Sequence, residues 1–81
     1  MTTEEGEIFA TIKRNLLVVV PEIDPDSISM SCSLSDLGCN SIDRAEVLAM
    51  AIEELRINIP LYELHRGDKL GDLVVLLRRR A

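Results

Sequence analysis

The 81-residue sequence contains no tryptophan, one phenylalanine, one tyrosine, one histidine and two cysteines. A core without large aromatic side chains is built from aliphatic residues, which suit packing between helices. With a single histidine and no C-x-x-C pair, the chain lacks the ligands of a common metal site, and we expect no metal. Apolar runs fall short of the roughly 20 residues of a membrane span, so we expect no membrane partner.

The net charge of −5 is unevenly distributed along the chain. Residues 1–65 carry four basic residues against twelve carboxylates, a net charge of −8, whereas residues 66–81 carry a net charge of +3. Because an acidic body repels phosphates, we expect no nucleic-acid partner and instead expect partners with basic surfaces. The arginines at 78–80 complement the negative end of a C-terminal helix, and an anionic partner is the alternative explanation.

The cysteines, Cys32 and Cys39, do not form a disulfide framework. In a chain that starts without a signal peptide they are expected to be reduced thiols that pack as small side chains, which predicts a cytoplasmic location. The length predicts one domain, over residues 1–81.

Apolar periodicity predicts three long helices and one short one. The first, over residues 3–19, is capped by Thr2 or Thr3 and ends before Pro21. Residues 21–39 form a long, ordered connection, and the second helix runs from Asn40 or Ser41 to Leu55. A helical turn over residues 61–64 stops at Gly67, and Asp68 caps the last helix. The predicted core stripes are Ile8, Ile12, Leu16 and Val19; Val47, Leu48, Ala51 and Leu55; and Leu70, Leu73, Val74 and Leu77.

A second face of the helix that starts at Asn40 mixes small apolar residues with carboxylates: Ile42, Ala45, Glu46, Ala49 and Glu53. This mixture is consistent with a docking surface or with an ordinary solvated face, and the residues alone leave both open. Arg44 falls close to the apolar stripe, where its aliphatic stem can cover apolar surface while its charge pairs with a neighbouring carboxylate.

Ser41 lies at the start of this helix, where amide groups and the helix dipole favour a phosphate. A hydrolase would need a base for Ser41, and His65 is the single imidazole; the elbow motif G-x-S-x-G is absent. We therefore predict that the chain is not an enzyme. A helical interaction module, in which Ser41 serves only as a helix cap, remains an alternative.

Residues 36–43, Asp-Leu-Gly-Cys-Asn-Ser-Ile-Asp, resemble the D-L-G-x-D-S-L-D signature of acyl carrier proteins. Residues 53–55, 57–60 and 71–74 resemble that family's acidic helix end, its I-P turn and its last helix. The resemblance implies a small all-α, antiparallel four-helix bundle that acts as a monomeric, non-catalytic carrier. It also implies a 4′-phosphopantetheine arm on Ser41, added from coenzyme A by a phosphopantetheinyl transferase with Mg²⁺, to hold acyl groups as thioesters.

The same resemblance implies that the start of the second helix docks basic patches of partner enzymes. The residues expected to take part are Asn40, Ile42, Asp43, Arg44, Ala45, Glu46, Ala49 and Glu53.

Two positions depart from the family signature. Asn40 stands where the family has aspartate, and Arg44 adds a positive charge one turn after Ser41. The chain therefore looks like the discrete carriers of polyketide β-branching cassettes, which implies an acyltransferase, a ketosynthase-like decarboxylase and an HMG-CoA-synthase-like enzyme as partners. Acceptor carriers of such systems have a tryptophan on the second helix, so its absence here favours an acetyl donor. A carrier for fatty-acid synthesis or another acyl pathway is the alternative.

Overall fold

The computed structural model describes residues 4–66 and 69–80, in which the regular elements are all helices and no strand occurs. The predicted all-α class is thus confirmed. Three long helices form as expected, and the predicted short helix is a 3-10 helix. A second 3-10 turn, which the sequence did not predict, lies in the long connection. In chain order the elements are α1 (Glu5–Val19), the 3-10 turn Pro25–Ser27, α2 (Ser41–Leu55), the 3-10 helix Leu61–Arg66, here called the 61–66 helix, and α3 (Leu70–Arg80).

Helix α1 begins two residues later than predicted. Its N-cap residue is Glu4, whose side chain makes no cap hydrogen bond, and Glu5 and Glu7 place carboxylates in the first turn. These charges stabilise the positive end of the helix dipole. The predicted caps, Thr2 and Thr3, lie outside the described residues. The helix ends at Val19, as the proline at position 21 predicts.

Most of the predicted apolar stripes form the core. Val19 and Leu55 are only half-buried, because each lies at the end of its helix. Helix α1 packs against both α2 and α3, and α2 also contacts the 61–66 helix. The connections also contribute to the core. The buried apolar residues are Ile8, Ile12, Leu16, Ile28, Leu34, Cys39, Val47, Leu48, Ala51, Ile57, Ile59, Leu64, Leu70, Leu73, Val74 and Leu77.

Backbone carbonyls of the long connection accept hydrogen bonds from the first amides of α3. The amide of Leu70 donates to the carbonyl of Cys32, and the amide of Gly71 donates to the carbonyl of Met30, both at 2.8 Å. A Cβ at position 71 would lie 3.0 Å from the Met30 carbonyl oxygen, so this close approach favours glycine. Gly67 and Asp68, the predicted stop and cap, lie outside the described residues.

The connection reaches α2 through a tight turn. The amides of Leu37 and Gly38 donate to the carbonyls of Leu34 and Ser35, at 3.2 and 3.0 Å. Gly38 has a φ of +92°, a conformation that side chains rarely adopt. Buried Leu34 and Cys39 anchor both ends of this turn in the core, so the start of α2 has a fixed position. No helix among the described residues has the length and apolar character needed to span a membrane.

Candidate functional site

A capping box fixes the first turn of α2. The Asn40 side-chain oxygen accepts from the amide of Asp43 at 2.8 Å, and the Asp43 carboxylate accepts from the amide of Asn40 at 3.4 Å. These two bonds satisfy backbone donors that a helix start leaves unpaired. Asn40 is therefore the N-cap residue, and it performs the capping function of the aspartate it replaces.

Ser41 is the first residue of α2 and is exposed. Because Asn40 makes the cap bond, the Ser41 hydroxyl is not needed to cap the helix, and the interpretation of Ser41 as the N-cap is wrong. The positive end of the dipole of a 15-residue helix lies at this position, which favours a phosphate on the hydroxyl. The geometry thus presents a serine hydroxyl to solvent at a helix terminus that favours a negative group.

The eight predicted docking residues fall into an exposed group and a half-buried group. Asn40, Ile42, Ala45, Glu46 and Glu53 are exposed, whereas Asp43, Arg44 and Ala49 are half-buried. Ile42, next to Ser41, has 74% of its surface exposed and offers apolar area to solvent there. The exposed part therefore combines apolar and acidic groups beside the serine hydroxyl.

Arg44 connects α2 to the 61–66 helix. Its guanidinium donates to the main-chain carbonyl of Leu64 at 2.8 Å, across 20 positions of sequence. The sequence indicated that Arg44 would lie near the apolar stripe, and the half-buried side chain confirms this. The sequence did not identify the acceptor, because a backbone carbonyl leaves no trace in residue identity.

Cys39 is a core residue, as expected for a small packing side chain, and is 8% exposed. Burial raises the pKa of its thiol, and the negative charge of Asp43 raises it further. Since the thiolate is the reactive form, this environment makes Cys39 unreactive. The cysteine two positions before Ser41 thus contributes packing.

The C-terminal end of α2 is bonded to α1. The Glu54 carboxylate accepts from the Arg14 guanidinium and, at 3.0 Å, from the Asn15 amide. The hydrogen bond from Arg14, followed by the one from Asn15, lowers the pKa of Glu54. Asn15 is buried and also donates to the carbonyl of Thr11, at 2.8 Å. Sequence periodicity did not predict that Thr11 and Asn15, both polar, lie on the buried side of α1.

The described residues contain no cluster of histidine, cysteine and carboxylates that would hold a metal ion. The side chain of His65, the base that a serine hydrolase would need, lies outside the part of the chain that is described.

No family model matches the chain. A curated relative, the polyketide biosynthesis acyl-carrier-protein AcpK of Bacillus subtilis (strain 168), is 34% identical over 74 residues, which cover 91% of this chain and 90% of the relative. The PKS-NRPS hybrid synthetase cheA of Chaetomium globosum is 30% identical over 78 residues, which cover 96% of this chain and 2% of the synthetase. The chain therefore matches nearly all of one relative and a small segment of the other.

A solved structure gives the corresponding match in three dimensions. It is the crystal structure of the curacin biosynthetic pathway HMG synthase in complex with its acetyl donor-ACP. One of its chains matches with a TM-score of 0.87 and 30% identity, covering 95% of this chain and 99% of that chain. Because coverage is nearly complete on both sides, the matched chain has the size of this one.

Proposed function

We propose a function from one premise: this chain belongs to the acyl carrier protein family. Its proposed role is to hold acyl groups for polyketide biosynthesis, on a 4′-phosphopantetheine arm attached to Ser41. The observation that carries the proposal is the exposed Ser41 hydroxyl at the first position of α2, immediately after the cap formed by Asn40. When attached, the arm supplies a terminal thiol on which acyl groups are held as thioesters.

In the proposed attachment step the Ser41 oxygen attacks the β-phosphorus of coenzyme A. A bond forms between the serine oxygen and this phosphorus, and the bond to the bridging pyrophosphate oxygen breaks, which releases 3′-phospho-AMP. The hydroxyl proton passes to a base of the phosphopantetheinyl transferase, whose Mg²⁺ neutralises the phosphates. The start of α2 favours the resulting phosphodiester, because its dipole is positive there.

The exposed residues beside Ser41 form the proposed docking surface. Ile42 offers apolar area, and Glu46 and Glu53 offer negative charge to basic partners. Asn40, Asp43, Arg44, Ala45 and Ala49 complete the surface proposed from sequence. Exposed charges act mainly by steering the diffusional encounter of the two proteins. The docking is therefore expected to be fast, weak and sensitive to salt.

The proposed cargo is an acetyl unit that is donated during β-branching. The similarity to an acetyl donor-ACP and the lack of tryptophan in this chain support this proposal. The partners would be an HMG-CoA-synthase-like enzyme, a ketosynthase-like decarboxylase and an acyltransferase. The chain itself would catalyse no step, since its residues attach the arm, dock partners and leave bond formation to them.

The remaining proposals concern the whole chain. We propose that residues 1–81 form one monomeric carrier domain, whose long helices and 61–66 helix form an antiparallel four-helix bundle. Because coenzyme A and its transferase work in the cytoplasm, that is the proposed location.

The attachment is tested by incubating the protein with coenzyme A, Mg²⁺ and a promiscuous transferase, followed by intact mass. The wild type should gain one arm, and Ser41→Ala should gain none. Ser35→Ala, which removes an exposed serine from the preceding turn, is the matched control and should gain the arm. A wild type that gains no arm would favour the unmodified interaction module.

The donor role is tested with an HMG synthase and acetyl-loaded carriers. This chain should bind the synthase more tightly than a fatty-acid carrier with the same cargo. Equal binding of the two carriers would contradict the donor role and favour a carrier for fatty-acid synthesis or another acyl pathway.

A further inference from the structure

Two arginines from other helices bond to adjacent residues of the 61–66 helix. Arg44 of α2 donates to the carbonyl of Leu64 at 2.8 Å, and Arg80 of α3 donates to the carboxylate of Glu63 at 2.6 Å. The contact with Glu63 lies at the surface, where an ion pair contributes little. The contact with Leu64 is partly buried and charge-assisted, so it is the stronger of the two.

The side chain of Leu64 is fully buried beneath this contact, in the same apolar core as Val47 and Leu48 of α2. An apolar chain can enter that interior between α2 and the 61–66 helix only if the two separate. The Arg44 bond joins the two elements across this boundary. A cavity of about 400 Å³ occurs elsewhere, on α1 and α3, lined by Glu5, Val75, Arg78 and Arg79.

Arg44 also lies where cargo would approach. Residues three apart on a helix are neighbours on its surface, so Arg44 adjoins Ser41. A chain that hangs from Ser41 and folds back along α2 towards Leu64 would pass Arg44. To enter the core, the acyl chain must break a charge-assisted hydrogen bond to a main-chain carbonyl. The only favourable free energy that offsets this loss comes from burying the apolar carbons of the acyl chain. An acetyl group offers one methyl, too little to offset that loss.

We propose that Arg44 excludes acyl cargo from the interior by holding the 61–66 helix against α2, so that this carrier presents short acyl groups outside its core. The inference rests on the proposed function, because it requires an arm on Ser41. It makes Arg44 a positioning residue that keeps both short and longer acyl groups outside the core.

The test measures how fast hydroxylamine cleaves the thioester of the loaded protein, divided by the rate for the same thioester on free pantetheine. In the wild type, acetyl and octanoyl thioesters should give equal ratios, since both are exposed. In Arg44→Met, which removes the donor and keeps an apolar side chain, the octanoyl ratio should fall about fivefold, the result for cargo that is sheltered four-fifths of the time. The acetyl ratio should not change.

Arg79→Met is the matched control, because Arg79 is exposed on α3 and the substitution removes the same charge. It should behave as the wild type. A merely structural role of Arg44 predicts no slower cleavage in Arg44→Met, and that result would overturn the proposal. So would a fivefold slower cleavage of octanoyl on the wild type, a comparison that stands if Arg44→Met does not fold.

Intact mass separates this inference from the proposed function. A wild type that gains no arm contradicts the proposed function, and the inference falls with it. A wild type that gains the arm and shelters octanoyl contradicts the inference alone.

Discussion

The two ends of α2 have opposite surroundings. At its start, Ser41 and Ile42 are exposed, and the backbone is satisfied locally by the capping box. At its other end, Glu54 is bonded to Arg14 and Asn15 of α1. The C-terminal end of α2 is thus bonded to α1, whereas the first two residues of α2 are presented to solvent.

This difference shows that residue type does not determine the role of a carboxylate here. Glu46 and Glu54 lie eight positions apart on one helix and both are exposed. Glu54 is bonded within the chain, whereas Glu46 belongs to the face proposed to meet partners. Substitutions at the two ends should therefore affect different measurable quantities.

The largest expected effect is on association. Glu46→Lys should lower the on-rate for an HMG synthase of the proposed class about tenfold at low salt, because it reverses a charge on the docking face. The free energy of unfolding should stay unchanged. Stopped-flow association at several salt concentrations measures the first quantity, and urea denaturation the second; the on-rate difference should shrink as salt rises.

Glu22→Lys is the matched control for this substitution. Glu22 is exposed in the connection after α1, so the control makes the same change in net charge away from α2. An equal loss of on-rate in both variants would mean that net charge matters and its placement does not.

The second effect is on stability at the start of α2. Asn40→Ala removes the cap bond to the amide of Asp43 and should lower the free energy of unfolding by about 1 kcal/mol. Asn58→Ala, at an exposed position outside the helices, should change it by less than about 0.5 kcal/mol. Urea denaturation of both variants measures the difference. Equal losses would show that the capping box does not stabilise α2.

Local features of α2 could be predicted from the sequence. The exposed serine at position 41, a cap at 40 or 41 and the buried positions 47, 48 and 51 all depend on residues within one or two helical turns. Periodicity and capping preferences report such short-range order. The family signature adds the expected chemistry of Ser41.

Contacts that join distant parts of the chain could not be predicted. Arg44 and Leu64 are 20 positions apart, and Glu54 is 40 positions from Arg14. In the first pair the acceptor is a backbone carbonyl, which is the same for every residue. In the second, many exposed arginines and carboxylates were equally plausible partners. Three-dimensional packing selects among them.

The third effect is a gain in stability at the other end of α2. Arg56, immediately after the helix, has φ 57° and ψ 39°, a left-handed conformation that costs a side-chain-bearing residue roughly 1–2 kcal/mol. Arg56→Gly removes this cost but adds freedom to the unfolded chain, so a net gain of about 0.5–1 kcal/mol is expected. Lys13→Gly, in the middle of α1, should instead lose about 1 kcal/mol. Thermal and urea unfolding measure both, and a loss at position 56 would contradict the prediction.

The smallest effect is the pH dependence of the bond between α2 and α1. Because Arg14 and Asn15 lower the pKa of Glu54 in the folded protein, the carboxylate stabilises the fold above its unfolded pKa of about 4.3. That contribution is lost as pH falls through the lower folded value. Glu54→Gln should therefore be slightly less stable than the wild type at neutral pH, and the difference should vanish in acid. Urea denaturation across this range measures it.

Arg14→Gln is the control for this prediction, because it removes the hydrogen bond that contributes most to the lowered pKa of Glu54. In that background, Glu54→Gln should have a smaller effect than it has in the wild type, since two groups in contact are not additive. A difference that persists in acid would show that packing, and not the charge of Glu54, joins α2 to α1. The contrast between the two ends of α2 would then rest on exposure and docking, and not on the charge of Glu54.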